Sequence, residues 1–124
     1  MATRSRIGIE LKNGSVKSVY HHWDGYPEWL GKKLKSKYNT RAKVHALIRR
    51  GDISCLESST DWNNRKLSNP IVLTYRMRGD NCSPRIDEDI TEYIHNSEEY
   101  SYIFTKDNEW ICYDYTPAIC EIPS

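Results

Sequence analysis

Residues 3–27, TRSRIGIELKNGSVKSVYHHWDGYP, decide how the rest of the chain is read. Asn13-Gly14 lies between two runs that alternate apolar and polar side chains, the pattern of two strands joined by a tight turn. A two-residue type I′ turn at that dipeptide sets Lys12 opposite Ser15, Glu10 opposite Lys17, Arg6 opposite His21 and Arg4 opposite Trp23. One face of the ribbon then holds Ile7, Ile9, Leu11, Val16, Ser18, Tyr20 and His22, and is the expected core face. The other has no apolar stripe and gathers Arg4, Arg6, His21 and Trp23 at its open end. The assignment depends on register, because a slip of one residue moves a strand's side chains to the opposite face.

Outward from the hairpin, Asp24-Gly25-Tyr26-Pro27 breaks the strand, and Pro27 suits the first turn of a helix. Residues 27–38 place Leu30, Leu34 and Tyr38 on one stripe of a basic helix that Gly31 weakens by about 1 kcal/mol relative to alanine. Thr40 is the expected N-cap of a second helix over 41–50, with Val44, Leu47 and Ile48 buried and Gly51 as its stop. Residues 52–56 form a short strand or one helical turn. The polar stretch 57–69 reads as a surface loop, in which Trp62 either folds back or marks a contact surface. Ile71–Met77 is the most β-prone run and the expected central strand. A third helix follows over 87–95, capped by Asp87.

Tyr100–Thr105 and Trp110–Tyr115 form a second hairpin. A two-residue turn at 107–108 would put Tyr100, Tyr102, Phe104, Ile111, Tyr113 and Tyr115 on one face. The tail 116–124 wraps the surface or frays. The expected fold is α+β: one domain over 1–124, order ββααβαββ, with a largely antiparallel five-stranded sheet and helices packed on one face.

Of the 124 residues 28% are charged and 38% hydrophobic, enough for one modest core and too apolar for a disordered chain. No window approaches the roughly 18 apolar residues of a membrane span, and the N-terminus has no apolar signal core. A cytosolic setting is therefore expected, and there Cys55, Cys82, Cys112 and Cys120 stay reduced. None of their spacings suits a zinc knuckle, and Cys112–Cys120 is the one local bridge to weigh. The net charge of +1 hides a split, with +9 over residues 1–50 and −8 over 51–124. That asymmetry points to an anionic partner for the first half or to neutralisation between the halves.

Arg4, Arg6 and Trp23 make the leading constellation, since a guanidinium beside an indole suits a base or a phosphate, and Tyr26 could add a second aromatic wall. The bland reading is a solvent-exposed cation–π pair worth about 0.5–1 kcal/mol. Arg76 and Arg78 project to one side at a strand end and either join that pocket or pair with Asp80 or the acids of the third helix. His22 and Asp24 could orient a base, but no nucleophile stands at a motif position, so a hydrolase ranks last and no catalytic residue is assigned. Neighbouring strand residues face opposite ways, so His21 and His22 cannot share a metal without a bulge. No cofactor or metal fingerprint is present.

The segments RSRIGIE, NGSVKSVYHHWDGYPE, YRMRGD and YSYIF with EWICYDY together resemble a group of small uncharacterised proteins of tailed bacteriophages. In that group a cysteine is more usual where this chain has His21. The resemblance implies an accessory protein of host takeover or anti-defence, acting in the host bacterial cytoplasm, and transfers no reaction. The expected role is capture of an anionic ligand, a nucleotide signal or nucleic acid, by Arg4, Arg6, His22, Trp23, Asp24, Tyr26, Arg76 and Arg78. The alternative is docking on a host bacterial protein. No membrane partner is expected, and a homo-oligomer stays open.

Overall fold

The computed structural model describes residues 2–124 as an α+β unit built on one mixed sheet. Its strands are β1 (Ser5–Glu10), β2 (Val16–His21), β3 (Ile53–Thr60), β4 (Lys66–Thr74), β5 (Arg85–Asp87), β6 (Tyr100–Phe104), β7 (Trp110–Asp114) and β8 (Ile119–Cys120). The spatial order is β4-β3-β2-β1-β6-β7-β8, with β5 also paired to β2. β1 lies in the middle, antiparallel to β2 and parallel to β6. There are thus eight strands where five were expected, and the order differs accordingly.

The hairpin at Asn13-Gly14 forms, but in a different register. Ser5 pairs with His21, Arg6 with Tyr20, Ile7 with Val19 and Ile9 with Lys17. Gly14 N–H donates to Leu11 O at 2.9 Å and Leu11 N–H to Ser15 O at 2.8 Å, so the loop holds three residues. Gly14, at φ +88°, takes the left-handed place that such a loop needs. The extra loop residue shifts the ribbon by one and exchanges the faces of β2. Val19 and His21 now join Ile7 and Ile9 in the core, while Ser18, Tyr20 and His22 share a face with Arg4 and Arg6.

The second hairpin departs in the same way. Thr105 N–H donates to Glu109 O, Asn108 N–H to Thr105 O, and Asn108 has φ +61°. Tyr102 therefore faces Cys112, and Phe104 faces Trp110. Ile103 and Ile111 lie on the other side with Tyr113.

A wide π-type turn at Pro27–Gly31 leads into α1 (Lys32–Lys37), and α2 is Arg41–Arg49. Thr40 caps α2 by accepting from Lys43 N–H, and Gly51 stops it at φ +85°, both as expected. These helices cover one face, where Leu30, Leu34, Val44, Leu47 and Ile48 meet Ile7, Ile9, Val19, Tyr102 and Phe104. The tail does not fray, since Ile122 enters this core and packs on Gly31, where a Cβ would lie 2.9 Å from its Cγ2.

The opposite face is covered in part. α3 (Ile90–Ile94) covers it with Tyr93, which packs on Val16 and Ile103 and crosses β1 at Gly8, where a Cβ would lie 2.9 Å from Tyr93 Cζ. Its cap is Asp89, accepting from Glu92 N–H at 2.8 Å, while the expected cap Asp87 is buried in β5. The stretch 57–69 is the β3–β4 hairpin, and β4 is an edge strand that ends at Thr74. Tyr75–Arg78 forms a 3₁₀ turn, so Arg76 and Arg78 do not end a central strand.

Candidate functional site

The outer edge of β2 is shared. β5 pairs with Val16–Ser18 and β3 with His21, and between them Asp52 Oδ1 accepts the Tyr20 N–H at 2.9 Å. The face beside this junction carries Arg6, Ser18, Tyr20 and His22. Arg6 is half-buried and spends two donors on one neighbour: Nε donates to Ser18 Oγ at 3.0 Å and Nη2 to Ser18 O at 3.2 Å. Among the described residues it has no carboxylate within ion-pair distance. Burial lowers its pKa, against a pull upward from Tyr93, with Arg85 lowering it further and Asp52 and Glu98 opposing.

A withdrawn guanidinium of this kind is held at a desolvation cost that an anion would offset. Arg4 is exposed beside a depression of about 290 Å3 that it shares with Ser97, Glu98 and Glu99. Arg85 is already paired with Asp87 at 3.2 Å. Burial raises the Glu98 pKa against the pull of Arg6, Arg4 and Arg85.

Tyr20 and His22, two apart on β2, share a 2.7 Å hydrogen bond between the phenol oxygen and Nδ1. Burial is the main cause that pushes the Tyr20 phenol up to about 12, and it also lowers the His22 pKa, with Arg4 adding to the latter. The Trp23 ring stands edge-on to His22 with centroids 4.8 Å apart. Arg4 does not stack on Trp23: the shifted register puts them on different faces, and Trp23 leaves the strand with its N–H on Ser54 O. His21 is not beside Arg6 either. It is fully buried, accepts the Leu56 N–H on Nε2 at 3.1 Å, and burial drives its pKa down to about 3.

The remaining expected site residues are dispersed. Arg76 donates to Arg49 O at 2.9 Å and so ties the 3₁₀ turn to the C-terminal end of α2. Arg78 pairs with Asp80 at 2.7 Å and lies over the rings of Trp62 and Tyr75, at 4.6 and 4.9 Å from their centroids. Neither joins Arg4 and Arg6. Tyr26 is half-buried, and its carbonyl accepts the first N–H groups of the π-type turn. Asp24 has φ +55° and makes no hydrogen bond or ion pair among the described residues, so it does not orient His22.

Trp23 and Asp24 instead line a polar cleft of about 330 Å3 against the β3–β4 hairpin, facing Cys55, Thr60, Trp62 and Asn64. Trp62 is anchored there by its indole N–H on Thr74 O at 2.8 Å. Trp62 thus folds back, onto Thr74 and the ring of Tyr75 at 5.4 Å between centroids, and across the cleft it faces the turn after β2. The four cysteines are free thiols, although Cys112 and Cys120 face each other across β7 and β8. No cluster of metal-ligating side chains occurs among the described residues.

The basic helices are neutralised only in part. Glu57 pairs with Lys33 at 2.9 Å and with Lys37, whereas Lys32, Lys35, Lys43, Arg49 and Arg50 stay exposed with no carboxylate among the described residues. No helix is long and apolar enough to cross a membrane. In comparisons with known proteins, no family model, no curated protein and no solved structure matches this chain, so the site is read from its own geometry.

Proposed function

We propose that this protein binds an anionic ligand, a nucleotide or the phosphate of a nucleic acid, on the face of β1 and β2 beside Asp52, without turning it over. The observation that carries the reading is Arg6, a half-buried guanidinium fixed by Ser18 with no carboxylate partner among the described residues. Arg4 adds a second, exposed charge on the same side of β1, and the coupled Tyr20 and His22 rings form the adjoining wall. The arrangement has donors and aromatic surface but no activated nucleophile, which favours capture over catalysis. The resemblance to phage accessory proteins supports placing such capture in an infected bacterium, where removal of a nucleotide signal serves host takeover or anti-defence.

Thermal unfolding with inorganic pyrophosphate or a nucleoside monophosphate tests this. Binding should raise the melting temperature of the native chain, Arg6→Ala should abolish the rise, and Arg6→Lys should weaken affinity by about tenfold or more. A rise that survives Arg6→Ala refutes the assignment.

Docking on a host protein is the second reading. It is supported by Tyr115 and Ile119, which are 76% and 70% exposed at the β7–β8 edge of the sheet. It predicts capture of one bacterial protein that Ile119→Lys prevents, with no ligand-induced shift.

A further inference from the structure

The cleft between the turn after β2 and the β3–β4 hairpin has a chemistry of its own. Trp23 is 45% exposed, and its indole N–H has no partner among the described residues. Trp62 donates to Thr74 and its ring carries Arg78 and Tyr75, neither of which lines the cleft, so the part of the indole that faces the cleft is left for another occupant. The lining holds two carboxylates. Asp61 is spent on the Asn63 and Arg65 N–H groups and on the Arg65 guanidinium. Asp24 has all its acceptors unused among the described residues.

Two indoles and one free carboxylate in about 330 Å3 suit a flat ring whose edge offers paired donors. Of the common bases guanine meets this best, since its N1–H and 2-amino group are parallel donors that a carboxylate accepts together. Adenine presents a ring acceptor at the same place, which a carboxylate repels. A simple cation would also be drawn to Asp24. It is disfavoured on the adjoining side, where His22 touches Trp23 and Arg4 lies near His22. That same side suits a ligand with phosphate attached to the base-bearing sugar.

We propose that the cleft lined by Trp23, Asp24 and Trp62 is a base-binding site selective for guanine, and that the captured nucleotide is a guanine nucleotide. This rests on the anion-binding reading above for its phosphate half only. Asp24 reads the base edge, and Trp23 with Trp62 supplies the stacking surface.

Titration of the full chain by calorimetry, with tryptophan fluorescence as a second readout, tests this with GMP, AMP, XMP and guanosine. GMP should bind at least about tenfold more tightly than AMP. Asp24→Asn should lose that preference and gain one for XMP, whose 2-oxo group accepts from the amide. Asparagine tolerates the left-handed backbone at this position, so the variant should fold as the native chain does. Trp23→Ala should weaken GMP and guanosine alike.

Equal affinity for GMP and AMP, an unchanged preference in Asp24→Asn, or displacement of GMP by argininamide alone overturns the guanine site. If pyrophosphate still stabilises the native chain but not Arg6→Ala, the anion reading survives that loss. Conversely, guanosine binding that needs Asp24, together with GMP binding unaffected by Arg6→Ala, upholds the cleft and removes the anion reading. Failure of every ligand to bind overturns both.

Discussion

His21 is a residue whose ionisation the fold constrains strongly. Its imidazole is fully buried, Nε2 holds the Leu56 N–H, and Nδ1 has no partner among the described residues. Folding therefore selects the neutral ring, with a pKa of about 3 in place of the ordinary 6.5. The unfolded chain binds the extra proton between those values. Stability from this residue is thus complete above pH 6.5 and drains away as pH falls toward 3, by at most about 1.4 kcal/mol per pH unit. Denaturant melts at a series of pH values should show this slope, and His21→Cys, which stays neutral across the window, should flatten it.

Gly25 is constrained sterically instead. A Cβ there would lie 2.5 Å from Ser5 Oγ and 2.7 Å from Thr3 O, while its N–H and C=O already bond Thr3 O and the Tyr102 hydroxyl. Gly25→Ala should cost about 1–3 kcal/mol in a urea melt, with little effect on the indole cleft. The HWDGYP segment is accordingly explained in large part by architecture. His21 precedes it in the core, Asp24 turns the chain through the left-handed region, Gly25 permits close approach, and Pro27 opens the helical turn.

The elements of this fold share one turn. Leu11–Ser15, Asp61–Arg65 and Thr105–Glu109 close with the same pair of backbone hydrogen bonds, and Gly14, Asn64 and Asn108 occupy the same left-handed place at φ +88°, +60° and +61°. A two-residue reading of Asn13-Gly14 misses this because the dipeptide satisfies both geometries, and local sequence does not choose between them. The repetition yields a prediction. Gly14→Asn should be nearly neutral, since asparagine serves at the other two turns, whereas Gly14→Val should lose about 1–3 kcal/mol. No atom lies within 4 Å of a Cβ at Gly14, so calorimetry of the two variants would report backbone conformation alone.

Other elements were legible to differing degrees. α2 announced both its ends through Thr40 and Gly51, and its apolar stripe is the buried one. The β3–β4 hairpin was hidden because Glu57-Ser58-Ser59-Thr60 and Lys66–Asn69 carry no apolar alternation, and its bulged pairing erases what pattern there was. Asp87 is the expected cap of the third helix, but its pairing with Val16 draws it into β5, and Asp89 caps the helix instead. For the site, the side of β1 carrying Arg4 and Arg6 was readable from alternation. Its companions were not, because Tyr20 and His22 arrive there through the register. That Trp23 and Trp62 line one cleft is a juxtaposition of distant segments that no local rule encodes.

At the scale of the whole molecule, both faces of the sheet carry helices. The cover comes from opposite ends of the chain, with α1 and α2 on one side and α3 on the other. β1 lies between β2 and β6, and its register with β6 joins Ser5 to Tyr100 and Ile9 to Phe104. A chain cut after Glu99 would leave Ile7 and Ile9 without Tyr102 and Phe104, and would open one edge of β1. Such a fragment should show no cooperative unfolding transition by circular dichroism, and adding residues 100–124 as a separate peptide should restore one.

The pairing of Ser5 with Tyr100 also has a meaning during synthesis. The ribosome delivers the sheet's middle strand first and its parallel neighbour almost a full chain length later. At ordinary elongation rates that interval is on the order of 5–20 s. Throughout it, an apolar ribbon rich in isoleucine and valine waits with one edge unzipped. Until the second half emerges, that unpaired edge is the part of the nascent chain most open to pairing with another strand.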